Sequence, residues 1–256
     1  MSLEGRTALV TGSCGEGMGR SIALRLARER ANLVLNYGTA RRTKRQTTQA
    51  TKRAERVAAA VRELGGQAII QPADTRDEEQ VRAMVEAAEE EFGAVDILVS
   101  NAGGDWRPRD FTEVPLDEWR NVLQAEIDGA FLTMKHCVPG MRERAWGRIV
   151  LLGMRETLHM TLPSWLAPDY CLGKAVRAWM AEALWAGEFP HGVTVNCLEP
   201  GHIEHATLEE AVAAARELPD RDEARPYDVA EVVAFLCSEA GRFVTGSQIC
   251  CGALPD

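Results

Sequence analysis

At 256 residues the chain has room for one sizeable domain, and with 46% hydrophobic residues it can bury a core. A formal net charge of −9 excludes a protein built mainly to grip the phosphate backbone of nucleic acid, because that affinity comes from many cations. No run of about 18 apolar residues occurs, and "MSLEGRTALVTG" lacks a basic region followed by a long apolar stretch, so no membrane span or targeting segment is expected, and the expected location is the cytoplasm.

Taken in chain order, short apolar runs alternate with longer stretches of helical period. "TALV" precedes a helix over Arg20–Arg30, "LVLN" a helix ending near Leu64, "AIIQ" a helix over Glu78–Phe92, and "DILVS" a helix over Leu116–Lys135. "RIVLL" then leads into Tyr170–Trp185, "TVNCL" into Asp228–Ser238, and "SQICC" closes the series. Strands this apolar, each followed by a helix, predict a parallel sheet covered on both faces: a doubly wound α/β single domain over residues 1–256. In Leu116–Lys135 the spacing of Trp119, Val122, Leu123, Ile127, Phe131 and Met134 predicts one core-facing stripe. The Ala/Glu/Arg-rich stretch 206–225 is read as a lid. Seven cysteines, odd in number and without a C-x-x-C, predict reduced thiols rather than a disulfide framework.

The turn in "ALVTGSCGEGMGRSIALRLA" carries Gly12, Gly15, Gly17 and Gly19 between the first strand and the first helix. Glycines there let backbone N–H groups approach a pyrophosphate, and the following helix N-terminus favours its negative charge. With Thr11, this turn resembles the T-G-x-x-x-G-x-G of the short-chain dehydrogenase/reductase family, with one additional residue. Other motifs fall in that family's order: Asp74-Thr75 after strand three, Asn101-Ala102-Gly103 after strand four, Tyr170-x-x-x-Lys174, Pro200-Gly201 after strand six, and the closing "RFVTGSQI".

The resemblance runs along essentially the whole chain and implies a Rossmann-type fold and an oxidoreductase that interconverts a carbonyl and an alcohol on a small organic substrate. It implies Gly12, Ser13, Gly17, Met18 and Gly19 at the coenzyme pyrophosphate, Asp74 and Thr75 at the adenine, and Asn101, Ala102, Gly103, Pro200 and Gly201 along the rest of the coenzyme. Tyr170 becomes the general acid/base, and Lys174 its tuner and a ribose ligand, since a nearby cation favours the phenolate. A homo-oligomer, tetramer or dimer, is also implied.

Strand two ends with Asn36 rather than an acid, so nothing there repels a 2′-phosphate. Residues 38–54 hold Arg41, Arg42, Lys44, Arg45, Lys52 and Arg53 and no acid. The stretch is either a solvated basic loop or a 2′-phosphate site with Arg41 or Arg42 as ligand, which makes NADP(H) the preferred coenzyme and NAD(H) the alternative. A nucleic-acid patch is the remaining and weakest reading, given the acidic remainder of the chain.

Two positions depart from the family. The serine that usually ends strand five aligns with Met154, whose thioether has no proton to donate, and the helix-four asparagine aligns with Glu126. Arg155 and His159, in the long stretch before Tyr170, are candidates to supply the missing hydrogen bond or simply surface residues. His202, Glu204 and His205 lack a metal-site spacing, and no metal is assigned. These departures keep two rivals open: a non-redox lyase or isomerase that keeps the tyrosine for proton transfer, and a catalytically lapsed nucleotide-binding regulator or scaffold.

Overall fold

The computed structural model describes residues 2–40, 42–155, 167–220 and 223–252. Seven parallel strands form one sheet in the order β3-β2-β1-β4-β5-β6-β7. They are β1 (Thr7–Val10), β2 (Asn32–Tyr37), β3 (Gln67–Pro72), β4 (Ile97–Ser100), β5 (Gly147–Leu152), β6 (Val193–Pro200) and β7 (Gln248–Cys251). The helices are α1 (Met18–Arg28), α2 (Lys44–Glu63), α3 (Glu78–Phe92), α4 (Leu116–Leu123), α5 (Gly129–Glu143), α6 (Pro168–Glu188), α7 (Leu208–Arg216) and α8 (Pro226–Cys237).

The two-residue period of the strands divides the core between the two faces of the sheet. Ala8, Val10, Leu33, Leu35, Ile97, Val99, Val150 and Leu152 meet α1, α2 and α8. Their neighbours Leu9, Val34, Leu98, Ile149 and Leu151 meet α3, α5 and α6. The order reverses at β1 and β4, so the crevice at their carboxyl ends is where a doubly wound sheet receives a ligand.

Three expectations are corrected. Helix 116–135 is interrupted by a π-helical turn at Gln124–Asp128, whose extra residue rotates everything after it. The expected stripe therefore does not form: Val122 and Met134 are buried, Trp119, Leu123 and Ile127 are half-buried, and Phe131 is 51% exposed. The basic stretch 38–54 is not a long loop, because a capping box between Thr43 and Gln46 starts α2 at Lys44. The stretch read as a lid contains α7, started by a second capping box at Thr207 and Glu210, and its Ala211 and Ala215 join the core.

Candidate active site

The glycine turn and the turn after β4 are stitched together by Thr11. Its Oγ1 accepts the backbone N–H groups of Asn101 and Ala102, each at 2.9 Å. In return Asn101 Nδ2 donates to Thr11 O at 2.8 Å and Gly12 O at 3.3 Å. A Cβ at Gly19 would lie 2.5 Å from that amide and 2.7 Å from Gly12 O, so a side chain there would wedge α1 away from the sheet. Gly12 needs its glycine for another reason, a φ of +66°. Helix α1 starts on Gly17 with no side-chain cap and no acid in its first turn, so Met18 and Gly19 lie in a first turn whose N–H groups no side chain caps.

These turns open on a cleft of about 950 Å³ lined by Gly12, Gly17, Asn36, Arg42, Asp74, Thr75 and Asn101–Gly104, among others. Asn36 is fully buried and its side chain is committed to the scaffold. Its Oδ1 accepts Gly12 N at 3.1 Å, and its Nδ2 donates to Gln71 O at 3.0 Å and Ala73 O at 3.2 Å. Ser13 is tied to the same residue, its N donating to Asn36 O at 2.9 Å. Both oxygens of Asp74 face Arg76, at 2.9 Å from Nε and 2.8 Å from Nη2, and this holds the carboxyl below its ordinary range. Arg42 is exposed at the rim, its Nε donating to Gly38 O; Arg41 lies outside the described residues.

Tyr170 and Lys174 do not line this cleft; Asp105 does, and its neighbour Trp106 packs on Tyr170. Trp106 meets the Tyr170 ring edge-on, with centroids 5.5 Å apart. Lys174 Nζ lies 5.1 Å from the Tyr170 ring centroid and donates to Leu152 O at 3.1 Å. It also stands 3.1 Å from Glu126 Oε2. Arg177, one turn further along α6, completes the cluster with its Nε 2.9 Å from the same oxygen. The Arg177 guanidinium donates to the carbonyls of Glu126, Ser100, Leu152 and Ala102, pinning the π-helical turn to the ends of β4 and β5. Glu126 Oε1 accepts Gly104 N at 2.8 Å.

Burial dominates the electrostatics. It drives the Tyr170 phenol above its ordinary range, with Glu126 adding to the rise and Arg177 opposing it. It pulls Lys174 down to about 8, against the attraction of Glu126 and with Arg177 assisting. The space for Glu126 comes from glycine: a Cβ on Gly173 would lie 2.5 Å from Glu126 Cβ, and one on Gly103 would collide with Oε1.

Met154 and Arg155 are half-buried just past β5, where Arg155 N donates to Pro200 O at 3.0 Å and Nη1 to Gly252 O at 3.1 Å. Pro200 and Gly201 therefore border the Met154 side of the sheet edge, with Gly201 N donating to Cys251 O at 2.8 Å. His159 lies outside the described residues. His202 pairs with Glu204 at 3.0 Å, and among the described residues no three His, Cys, Asp or Glu side chains converge as metal ligands. Sequence reasoning missed Arg177. The available signal was an arginine three residues after Lys174, on the same face of a helix whose neighbouring positions are small and apolar.

A family model described as enoyl-(acyl carrier protein) reductase matches residues 13–252. Glucose 1-dehydrogenase 2 of Bacillus subtilis is 28% identical over 254 residues, spanning 96% of this chain and 93% of that protein. An NADPH-dependent aldehyde reductase-like protein, chloroplastic, of Arabidopsis thaliana is 31% identical over 266 residues, spanning 97% and 93%. The crystal structure of a dehydrogenase/reductase from Sinorhizobium meliloti superposes with a TM-score of 0.80 at 28% identity, covering 97% of this chain and 94% of that one. With that agreement added to the parallel sheet, the glycine turn and the Tyr170–Lys174 pair, the chain belongs to the short-chain dehydrogenase/reductase family, NAD(P)-dependent oxidoreductases acting on alcohols and carbonyls.

Proposed function

We propose that this oxidoreductase prefers NADP(H) to NAD(H) and interconverts a carbonyl and an alcohol on a small organic substrate, with Tyr170 as acid/base and Lys174 beside it. The observation that carries the coenzyme preference is the end of β2: its Asn36 side chain is spent on Gly12 and β3, no acid takes its place, and Arg42 stands at the rim. The printed name of the Arabidopsis relative, which specifies NADPH, points the same way.

The cleft fits a dinucleotide. The N–H groups of the turn Gly12–Gly19 and the uncapped start of α1 suit a pyrophosphate, with Ser13 and Met18 within the same turn. Arg42, with Arg41, would hold the 2′-phosphate. Asp74 and Thr75 would hold the adenine; a carboxylate has about four acceptor sites, so Asp74 can serve an amino group without releasing Arg76. Asn101, Ala102, Gly103, Pro200 and Gly201 would flank the remainder, and Lys174 would reach a ribose. When bound, the coenzyme supplies or accepts hydride. Tyr170 passes a proton to or from the substrate oxygen, Trp106 holds the phenol ring in place, and Met154 and Arg155, just past β5, are the candidates to meet the substrate, as is His159 from the sequence alone. The reading includes a cytoplasmic location and a homo-oligomer joined through the exposed apolar side chains of α5 and α6, such as Phe131 and Trp179.

Calorimetric titration of nucleotide-free protein with NADPH and NADH tests the preference. The expected result is at least about tenfold tighter NADPH binding, lost in Arg42→Ala, as for removal of one charge-assisted contact. Equal affinities, or a preference untouched by Arg42→Ala, would overturn it. The methionine at position 154 favours one rival, a nucleotide-binding protein whose chemistry has lapsed, and its signature is coenzyme binding without turnover.

A further inference from the structure

Glu126, Lys174 and Arg177 are respectively 0%, 4% and 0% exposed, and they put two cations against one carboxylate inside the protein. A lone buried Glu–Lys pair would lock the lysine as ammonium, because releasing its proton would strand the carboxylate. Arg177 changes that accounting. Its Nε is closer to Glu126 Oε2 than Lys174 Nζ is, 2.9 Å against 3.1 Å, and an arginine keeps its proton in proteins. If Lys174 gives up a proton, Glu126 and Arg177 remain matched.

We infer that Glu126 and Arg177 are positioning residues of the Tyr170–Lys174 pair: Arg177 neutralises Glu126 and so leaves Lys174 held in place but free to change its charge. This rests on the proposed role of Tyr170 and Lys174. It adds a device in which two buried residues, both outside the Tyr-x-x-x-Lys motif, adjust, on top of burial, how readily the lysine exchanges its proton. Among the described residues, the charged and titratable groups facing Lys174 are Glu126 from the π-helical turn, Tyr170 and Arg177 from α6, and Cys197 from β6. Cys197 is itself raised to about 12 and stays a thiol at neutral pH. Tyr170 also faces Asp105 and Cys171. Gly173 and Gly103 provide the room for Glu126, so the cluster is built into both walls of the site.

The test needs no substrate. The chain has four lysines, and Lys44, Lys52 and Lys135 are exposed, so the ¹³Cε resonance of buried Lys174 is separable after labelling with ¹³C-lysine and is assigned by its loss in Lys174→Arg. In the folded wild type its titration midpoint is expected near 8. Arg177→Met should raise the midpoint and Glu126→Gln should lower it, each by about one unit or more, with the double variant between them. An ordinary lysine midpoint in the wild type, or a folded Arg177→Met protein whose midpoint does not rise, overturns the inference. If either single variant fails to fold, the wild-type titration and the double variant still decide. Absence of coenzyme oxidation with the expected midpoints would sink the proposed chemistry of Tyr170 and Lys174 and leave only the charge coupling of Lys174, Glu126 and Arg177 standing.

Discussion

Met154, just past β5, presents a thioether where the family resemblance implies a hydroxyl that would donate to the substrate oxygen. Loss of one such donor costs on the order of 10² to 10³ in rate. Met154→Ser is therefore expected to raise kcat for carbonyl reduction by about tenfold or more. An unchanged or lower kcat would show that the site supplies the donor from elsewhere. Tyr170, Lys174, the glycine turn and the Asn101 turn were legible because each is a short motif. Arg177 was not, because a helix buries it against residues 25 or more positions away, and only the folded chain brings Glu126, Ser100, Leu152 and Ala102 to its guanidinium.

Among the elements, the π-helical turn at Gln124–Asp128 has the largest effect on the site, since it turns Glu126 inward while Phe131 faces outward. Periodicity at 3.6 residues misread this stretch because a single extra residue shifts the phase of everything beyond it. Gly173→Ala probes the fit between α6 and this turn. Its Cβ would press on Glu126, with an expected loss of about 1–3 kcal/mol in urea unfolding. No loss would mean that the turn yields easily. Trp179 of α6 and Phe131 of α5 are 62% and 51% exposed, and both belong to the proposed oligomer contact. Trp179→Glu is expected to lower the oligomeric state in sedimentation equilibrium, and an unchanged assembly would move the interface elsewhere.

For the whole molecule, alternation of apolar runs with amphipathic stretches was enough to read the parallel sheet, because the inner strands β1, β4, β5 and β6 are buried on both faces and the helices cover them. The strand order was not in that pattern; it is set by the crossovers, which place β1 and β4 side by side at the centre. Stability at alkaline pH is a property of this core. Burial raises Cys137, Cys197 and Cys237 to about 12 and Cys14, Cys171 and Cys251 to about 11, against an ordinary 9.0. Above pH 9 the unfolded chain loses thiol protons that the native one keeps, so these groups reduce stability as pH rises. Lys174 acts with the opposite sign between about 8 and 10.5, where the unfolded state binds the additional proton. Six thiols outweigh one lysine, and Tm is expected to fall steadily from pH 9 to 11 in calorimetric scans; a flat profile would contradict the burial of the thiols.

The most direct test of the central claim is NADPH oxidation, followed by absorbance across a panel of small aldehydes and ketones, with wild type and Tyr170→Phe side by side. The expected result is carbonyl-dependent oxidation by the wild type, abolished in Tyr170→Phe while that variant still binds NADPH. Turnover that survives in Tyr170→Phe, or coenzyme binding with no oxidation by the wild type on any carbonyl, would contradict it.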